Sequence, residues 1–320
     1  MTSMTPPDDL ALPFQVASLG VRGRAVRLGP ALDAILSRHA FPDAVAGLLA
    51  ETLALGAALA ASMKYEGIFT LQIRGDGPVR LIVVDQTSAG ALRGYAAFDA
   101  DAVAAALADE TLDAASGLPA HPVPRLLGNG NMAFTVDQGP DTERYQGVVA
   151  LEGASLSDCA HHYFRQSDQL AAAVKLAAGR GADGHWRAAA LTVQALPSAE
   201  LIAELDAEER DERWRTALVM LGSARTGEML DPALAAETLV WRLFHEQAPM
   251  AFGAVALRDQ CRCSRGRIDR MLRSVAREEL DDLRDERGFV VVGCEFCATS
   301  YDYDDAALDA LATRDAAIGA

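Results

Sequence analysis

No stretch of the 320-residue chain, Thr52 to Met63 included, stays free of charge for the roughly 18 apolar positions a membrane-spanning helix needs. A membrane partner is therefore not expected. The first residues hold Asp8 and Asp9 but no Lys or Arg and no sustained apolar run, which argues against a secretory leader or an Arg-rich transit peptide and for a cytoplasmic protein. Basic residues are scarce: 29 Lys and Arg face 45 Asp and Glu, a net charge of −16. The chain as a whole repels a phosphate backbone, so nucleic acid is not an expected partner unless a local basic patch overrides the rest. Only five cysteines occur, four of them in the last fifth of the chain, which is too few and too uneven for a secreted disulfide scaffold. Neither a Gly-x-Ser-x-Gly elbow nor a Walker loop is found, and no Gly-x-Gly-x-x-Gly is expected to follow a strand. No support exists for a hydrolase or a nucleotide enzyme, and the chain is not expected to be an enzyme.

What is present is a globular composition, 50% hydrophobic and 23% charged, long enough for two domains or one domain with appendages. Phe14 to Leu28 reads as two short extended runs around Gly20 and Gly23, and Pro30 starts a helical pattern through Leu32, Ile35 and Leu36. After Pro42 a long helix follows, whose apolar positions Val45, Leu48, Leu49, Leu53, Leu55, Leu59 and Met63 wrap more than one face. Such a helix must be buried, with Gly56 as a point of close packing. From Gly67 the period becomes two, as Phe69, Leu71 and Ile73 alternate with Thr70, Gln72 and Arg74 before the Gly75-Asp76-Gly77-Pro78 turn. Val79 to Asp85, Gly90 to Phe98, Met132 to Val136 and Tyr145 to Leu151 read as further strands. The links among the first three are too short for helical crossovers, so the sheet is antiparallel and the fold class α+β.

Ser155 to Gln169 reads as a helix capped by Ser155 or Ser157. Its adjacent His161 and His162 cannot share one helix face and so are not expected to chelate together. Cys159, in the same helix, reads as a buried small hydrophobe. Pro197-Ser198 closes the sheet region, and Leu201, Ile202 and Leu205 open a helical segment. Between Ala199 and Arg215 that segment holds seven acidic residues and three Arg, with Glu209 to Arg213 and Asp211 to Arg215 as i, i+4 pairs, each worth only about 0.2–0.5 kcal/mol. Trp214, Leu218, Leu221, Leu239, Trp241, Leu243 and Phe244 supply its apolar layer. Three parts result: an α+β core domain over 1–196, a helical linker region over 197–254, and a small C-terminal domain with an acidic tail over 255–320.

The C-terminal part carries the chemistry. Cys261-Arg262-Cys263 and Cys294-Glu295-Phe296-Cys297 both have chelating spacing and meet if residues 264–293 fold back. Four thiolates around one ion point to Zn(II), with Cys261, Cys263, Cys294 and Cys297 as ligands. Ser264 can cap a helix bearing Ile268, Met271, Leu272 and Val275, Gly288 can end the helical stretch, and Phe289 to Val292 can form a strand that delivers Cys294. Seven Arg from Arg258 to Arg277 stand against Asp259 and Asp269, a basic excess placed to offset the formal −2 of four thiolates on a divalent ion. Such a site is either purely structural or a redox switch, because zinc thiolates oxidise and the metal's binding free energy is folding free energy.

Taken together, these residues resemble the 33 kDa heat-shock protein family, the redox-regulated holdase chaperones of bacteria, over nearly the whole chain. Cys261-x-Cys263-Ser264 with Gly293-Cys294-Glu295-Phe296-Cys297 is the most specific match. Lys64-Tyr65-Glu66-Gly67, Arg93-Gly94-Tyr95, Tyr145-Gln146-Gly147-Val148-Val149, Tyr163 to Gln169 and Trp241 to Glu246 support it. Asp168 stands where the family often has Glu, and Ala171-Ala172 where a Pro-Thr step is common. The resemblance implies one Zn(II) per reduced chain on the four cysteines, which keeps the linker packed and the chaperone inactive. It further implies that oxidation forms disulfides between neighbours, Cys261 with Cys263 and Cys294 with Cys297; spacing alone leaves three connectivities open. Zinc then leaves, the linker unfolds, and a homodimer captures unfolded client proteins without ATP. Two readings compete with this one. A zinc-ribbon module for nucleic acid or protein interaction would use the Arg-rich helix, and a thioredoxin-like oxidoreductase would use Cys294-x-x-Cys297, although no βαβ unit follows that motif.

Overall fold

The computed structural model describes residues 8–139, 142, 144–167, 171–196 and 206–316. It divides into two compact units between Asp259 and Gln260.

In the first unit the strands β1 (Leu10–Val16) and β2 (Val21–Leu28) are followed by helices α1 (Pro30–Leu36) and α2 (Asp43–Ala60). Then come β3 (Ile68–Gly75), β4 (Val79–Thr87), β5 (Ala91–Phe98), α3 (Ala100–Leu107), β6 (Gly130–Asp137), β7 (Tyr145–Ala150) and α4 (Leu156–Ser167). The strands β8 (Ala172–Arg180) and β9 (Trp186–Ala195) precede a helical series α5 (Ala207–Ser223), α6 (Thr226–Leu230) and α7 (Ala236–Phe244). Three two-residue strands close the unit: β10 (Met250–Ala251), β11 (Val255–Ala256) and β12 (Arg258–Asp259).

The α+β class is borne out, with two sheets where one is expected. The first runs β10-β1-β2-β9-β8, with β11 also on β1; the second runs β12-β5-β4-β3-β6-β7. All pairings are antiparallel except β12 on β5. Helix α2 packs against strands of both sheets, and for that reason its apolar positions surround it. Its 18 residues are long and apolar enough to cross a membrane by composition, yet they form the buried core. Gly56 is the expected close approach, since a Cβ there would stand 3.0 Å from Val84 Cγ1.

Strands β8 and β9 escape the sequence reading because Ala occupies both faces and erases the alternation. The spacing Gly179-x-Gly181-x-x-Gly184, starting at the end of β8, corrects the expectation that none follows a strand. It joins two strands and opens no helix, so it builds no phosphate cradle.

The outer face of the first sheet is covered by the helical series. Leu12, Phe14, Val16 and Leu191 pack with Ala217, Leu221, Met229, Leu239, Val240 and Phe244 in a second core, where the Phe14 and Phe244 rings lie 5.6 Å apart. The helices that were to rest their stripe on something therefore rest on this sheet. Trp241 and Leu218 depart from expectation, being 57% and 37% exposed. Asp206 caps α5 in a capping box with Glu209; the expected start at Ser198, Leu201, Ile202 and Leu205 lies outside the described residues, as do Asp168 and Gln169. Arg213 donates to the Ser18 carbonyl instead of pairing with Glu209, and Arg215 pairs with Glu212 instead of Asp211.

Arg27, on β2, fastens this layer. Only 3% exposed, it donates from Nη2 to the Asp231 carbonyl (2.7 Å), from Nη1 to the Leu234 carbonyl, and from Nε to Asp8 Oδ1 (2.8 Å).

The second unit contains α8 (Arg265–Leu272), α9 (Arg277–Asp282), the hairpin β13 (Val290–Gly293) and β14 (Ser300–Tyr303), and α10 (Asp305–Ala316). Its core is small: Leu272, Leu280, Val290, Tyr303, Leu308 and Leu311. The expected single helical stretch to Gly288 is two helices, and Gly288 instead occupies the turn before β13 at φ +82°. Met271, carried by α8 as the sequence reading has it, is 47% exposed.

Candidate metal centre

The two cysteine pairs arrive from different local structures. Cys261 and Cys263 lie just before α8, whose N-cap Ser264 accepts the Arg267 N–H on its hydroxyl (3.4 Å). Cys294 and Cys297 lie on the connection between β13 and β14, where Gly293 pairs with Ser300. That connection is tight: the Cys294 N–H donates to the Thr299 carbonyl (2.9 Å), and the Ala298 N–H to the Cys294 carbonyl (2.8 Å) with Ala298 at φ +56°.

Folding brings all four Sγ atoms within 4.8 Å of one another. Among the described residues this is the only group of three or more His, Cys, Asp or Glu able to share an ion. Two close contacts run across the pairs, Cys261 Sγ to Cys294 Sγ at 3.7 Å and Cys263 Sγ to Cys297 Sγ at 3.3 Å. A tetrahedral ion with bonds of about 2.3 Å to sulfur requires sulfur separations of about 3.8 Å, which lies between the closer of these contacts and the 4.8 Å limit. All four donors are soft and half-buried, and the group fits a metal ion of the zinc type.

Neighbouring groups address the sulfurs. The Cys263 N–H donates to Cys261 Sγ (3.5 Å), the Tyr301 hydroxyl donates to Cys263 Sγ (3.2 Å), and Thr299 Oγ1 stands 3.2 Å from Cys297 Sγ. Burial pushes the Cys297 thiol up, but the hydroxyl and amide of Thr299 and the neighbouring Cys263 and Cys261 reverse this and bring it to about 6. Cys263 is pushed up to about 12 by burial and by the other three cysteines, against the Tyr301 hydroxyl. Cys294 is raised by burial, which outweighs the supporting amides of Cys297 and Phe296. Thr299 and Tyr301 are the partners that sequence reasoning missed. They follow Cys297 by two and four residues, and only the return of the chain along β14 turns them to the sulfurs.

The basic excess is answered differently from expectation. Arg277 pairs with Asp281 (3.2 Å), Asp305 (2.8 Å) and Asp309 (2.7 Å), and Arg284 also reaches Asp281 and Asp305. Arg265 lies over the Tyr303 ring at 4.4 Å and donates to the Asp302 carbonyl, while Arg258 belongs to the first unit and donates to the Ala89 carbonyl. The acidic C-terminal residues thus take up the charge of Arg277.

Outside the cluster, Cys159 is fully buried and its thiol is pushed up to about 11 by burial and by the Asp158 carboxylate, in keeping with a packing role. His161 and His162 diverge as expected of adjacent helical residues. His161 Nε2 accepts the Val174 N–H, and His162 Nδ1 faces Glu152 at 3.5 Å.

The profile of the family described as Hsp33 protein matches residues 9–304. The 33 kDa chaperonin of Caulobacter vibrioides is 38% identical over 311 residues, covering 95% of this chain and 99% of that protein. Those of Shewanella loihica and Pseudomonas fluorescens are 33% and 34% identical over 91% and 94% of this chain, and over 91% and 92% of their own lengths. The crystal structure of the 33 kDa chaperonin from Thermotoga maritima shares the fold with a TM-score of 0.77 at 21% identity, covering 96% of this chain and 99% of that one.

Proposed function

The chain belongs to the Hsp33 protein family, and from that premise we propose that it is a redox-regulated, ATP-independent holdase chaperone of the cytoplasm. It would bind unfolded client proteins rather than turn over a substrate. The observation that carries the redox part is the convergence of four thiol sulfurs within 4.8 Å in a unit with so small a core.

Cys261, Cys263, Cys294 and Cys297 would hold one Zn(II), which when bound supplies the cross-link that joins the two cysteine segments. Tyr301 and Thr299 orient Cys263 and Cys297, and the amides of the β13–β14 connection orient Cys294. In this reduced state the linker helices stay seated on the first sheet. Oxidation joins sulfurs in pairs: two thiols give up two electrons and two protons to one hydrogen peroxide, leaving one disulfide and two waters. Two peroxides thus consume all four ligands. The small unit then loses its cross-link, the linker comes away from the sheet, and the exposed apolar surface holds clients as a homodimer.

The test is zinc content and light scattering of a heat-unfolding client on one sample, before and after peroxide at elevated temperature. Zinc release together with suppressed aggregation is expected. Zinc that stays, or leaves without any suppression, makes the site structural and turns attention to an interaction module. Peptide mapping of the oxidised chain gives a separate result. Neighbour pairing, Cys261 with Cys263 and Cys294 with Cys297, is expected, leaving peptides 255–263 and 290–300 unlinked. A covalent link between those two peptides would instead follow the two short sulfur contacts.

A further inference from the structure

Strand β8 is a sheet edge, paired with β9 on one side only. The Ala195 N–H donates to the Ala171 carbonyl, so in the alternation of an antiparallel ladder the odd-numbered residues of β8 bond to β9 and the even-numbered N–H groups turn outward. Open edges invite pairing with other chains, and proteins cover them. Here the Arg180 N–H is taken by the Ala115 carbonyl at 2.8 Å, and the Val174 N–H by a side chain, His161 Nε2 of α4, at 2.7 Å.

A ring nitrogen that accepts a hydrogen bond carries no proton, so His161 is held neutral with its hydrogen on Nδ1. Protonation would set an N–H against an N–H and cancel the bond. The ring borders a cleft of about 630 Å³ walled by Asp158, His162 and Arg165 of α4, by Glu152, and by Trp214 and Leu218 of α5. Charges around it are already engaged or weak partners. Asp158 accepts from the amides of Ala154 and Ser155 and from the Ser155 hydroxyl, Glu152 faces His162, and Lys175 of β8 donates to the Gly222 carbonyl at 2.7 Å. The α5 wall, Trp214 and Leu218, offers no titratable group.

We propose that His161 is a pH latch: neutral, it ties α4 to the edge of β8, and on protonation it releases that edge in mild acid while the cysteines remain reduced. Burial, helped by Arg165 and opposed by Asp158, holds the ring below the ordinary histidine value. In the open form the ring returns to about 6.5. The latch is therefore fully effective above about pH 6.5 and weakens as pH falls through and below that value. It needs neither metal nor oxidant and does not rest on the redox reading, so either can fail without the other.

Amide hydrogen exchange of the reduced full-length protein, corrected for intrinsic rates, tests it. Protection at Val174 is expected to fall about tenfold per pH unit below about pH 6.5, since opening takes up one proton, while Val193, inside the ladder, holds. H161Q, whose amide oxygen accepts without titrating, should give a flat profile. A flat profile in the unsubstituted protein, or the same slope in H161Q, overturns the latch. Should H161Q not fold, NMR titration of the His161 ring decides: a value below 6.5 supports it, and one at or above 6.5 overturns it.

Discussion

Replacing one cysteine from each pair, C263S/C294S, is expected to abolish zinc binding and leave residues from Gln260 onward unfolded at neutral pH in reducing buffer. The magnitude follows from size. Among the described residues six buried side chains form the core of that unit, too few to stabilise an independent domain. A structural four-thiolate zinc site supplies an apparent 10–16 kcal/mol, roughly, at neutral pH. Losing two of four ligands removes most of it. Limited proteolysis should cut within 260–316 and leave the first unit intact, and the reduced variant should suppress client aggregation without oxidant. A strong chelator on the unsubstituted protein should reproduce the proteolysis pattern. Stoichiometric zinc with unchanged protease resistance in the variant would sink the claim that these sulfurs hold the unit together.

The second large effect is expected at Arg27, far from any cysteine in the sequence. R27M removes a buried guanidinium that clasps the carbonyls of Asp231 and Leu234 and pairs with Asp8, whose side chain is only 10% exposed. Breaking a buried pair from one side costs about 3–5 kcal/mol when the remaining charge is left alone, and Asp8 keeps Arg187 Nε at 3.9 Å, which places R27M toward the lower end. The loss falls on the turn between α6 and α7, hence on the seat of the linker helices. Reduced R27M should retain zinc, become protease-sensitive between 206 and 244, and hold clients without peroxide. R93M is the control. It breaks the comparably buried pair of Arg93 with Asp85 on the second sheet, so it should destabilise the first unit without activating it. An R27M protein that stays silent until oxidised, or an R93M protein that is equally active, would show that linker seating is not the restraint.

Which parts of this architecture were legible beforehand follows physical range. Alternation along β3 and β4, the all-round apolar pattern of α2 and the capping of α8 by Ser264 are written within a few residues, and each was readable. Strands β8 and β9 were not, because alanine fits either face of a strand and also a helix. The division into two sheets was hidden for a related reason: a period of two tells which side chains share a face but not which strands share a ladder. Trp241 shows the same limit. Its place in a helical stripe suggested burial, and the way α7 meets the sheet leaves it exposed.

For the site, the sequence by itself determined four candidate sulfur donors and their grouping into two pairs of chelating spacing, because Cys-x-Cys and Cys-x-x-Cys spacing is a local geometric fact. Tertiary structure decided the rest. Only the return of residues 264–293 brings the two pairs within 4.8 Å, only the β13–β14 register turns Thr299 and Tyr301 toward the sulfurs, and only the packing of α10 brings Asp305 and Asp309 to Arg277. Chelating spacing is set by bonds between neighbours, whereas these contacts depend on where distant segments come to rest.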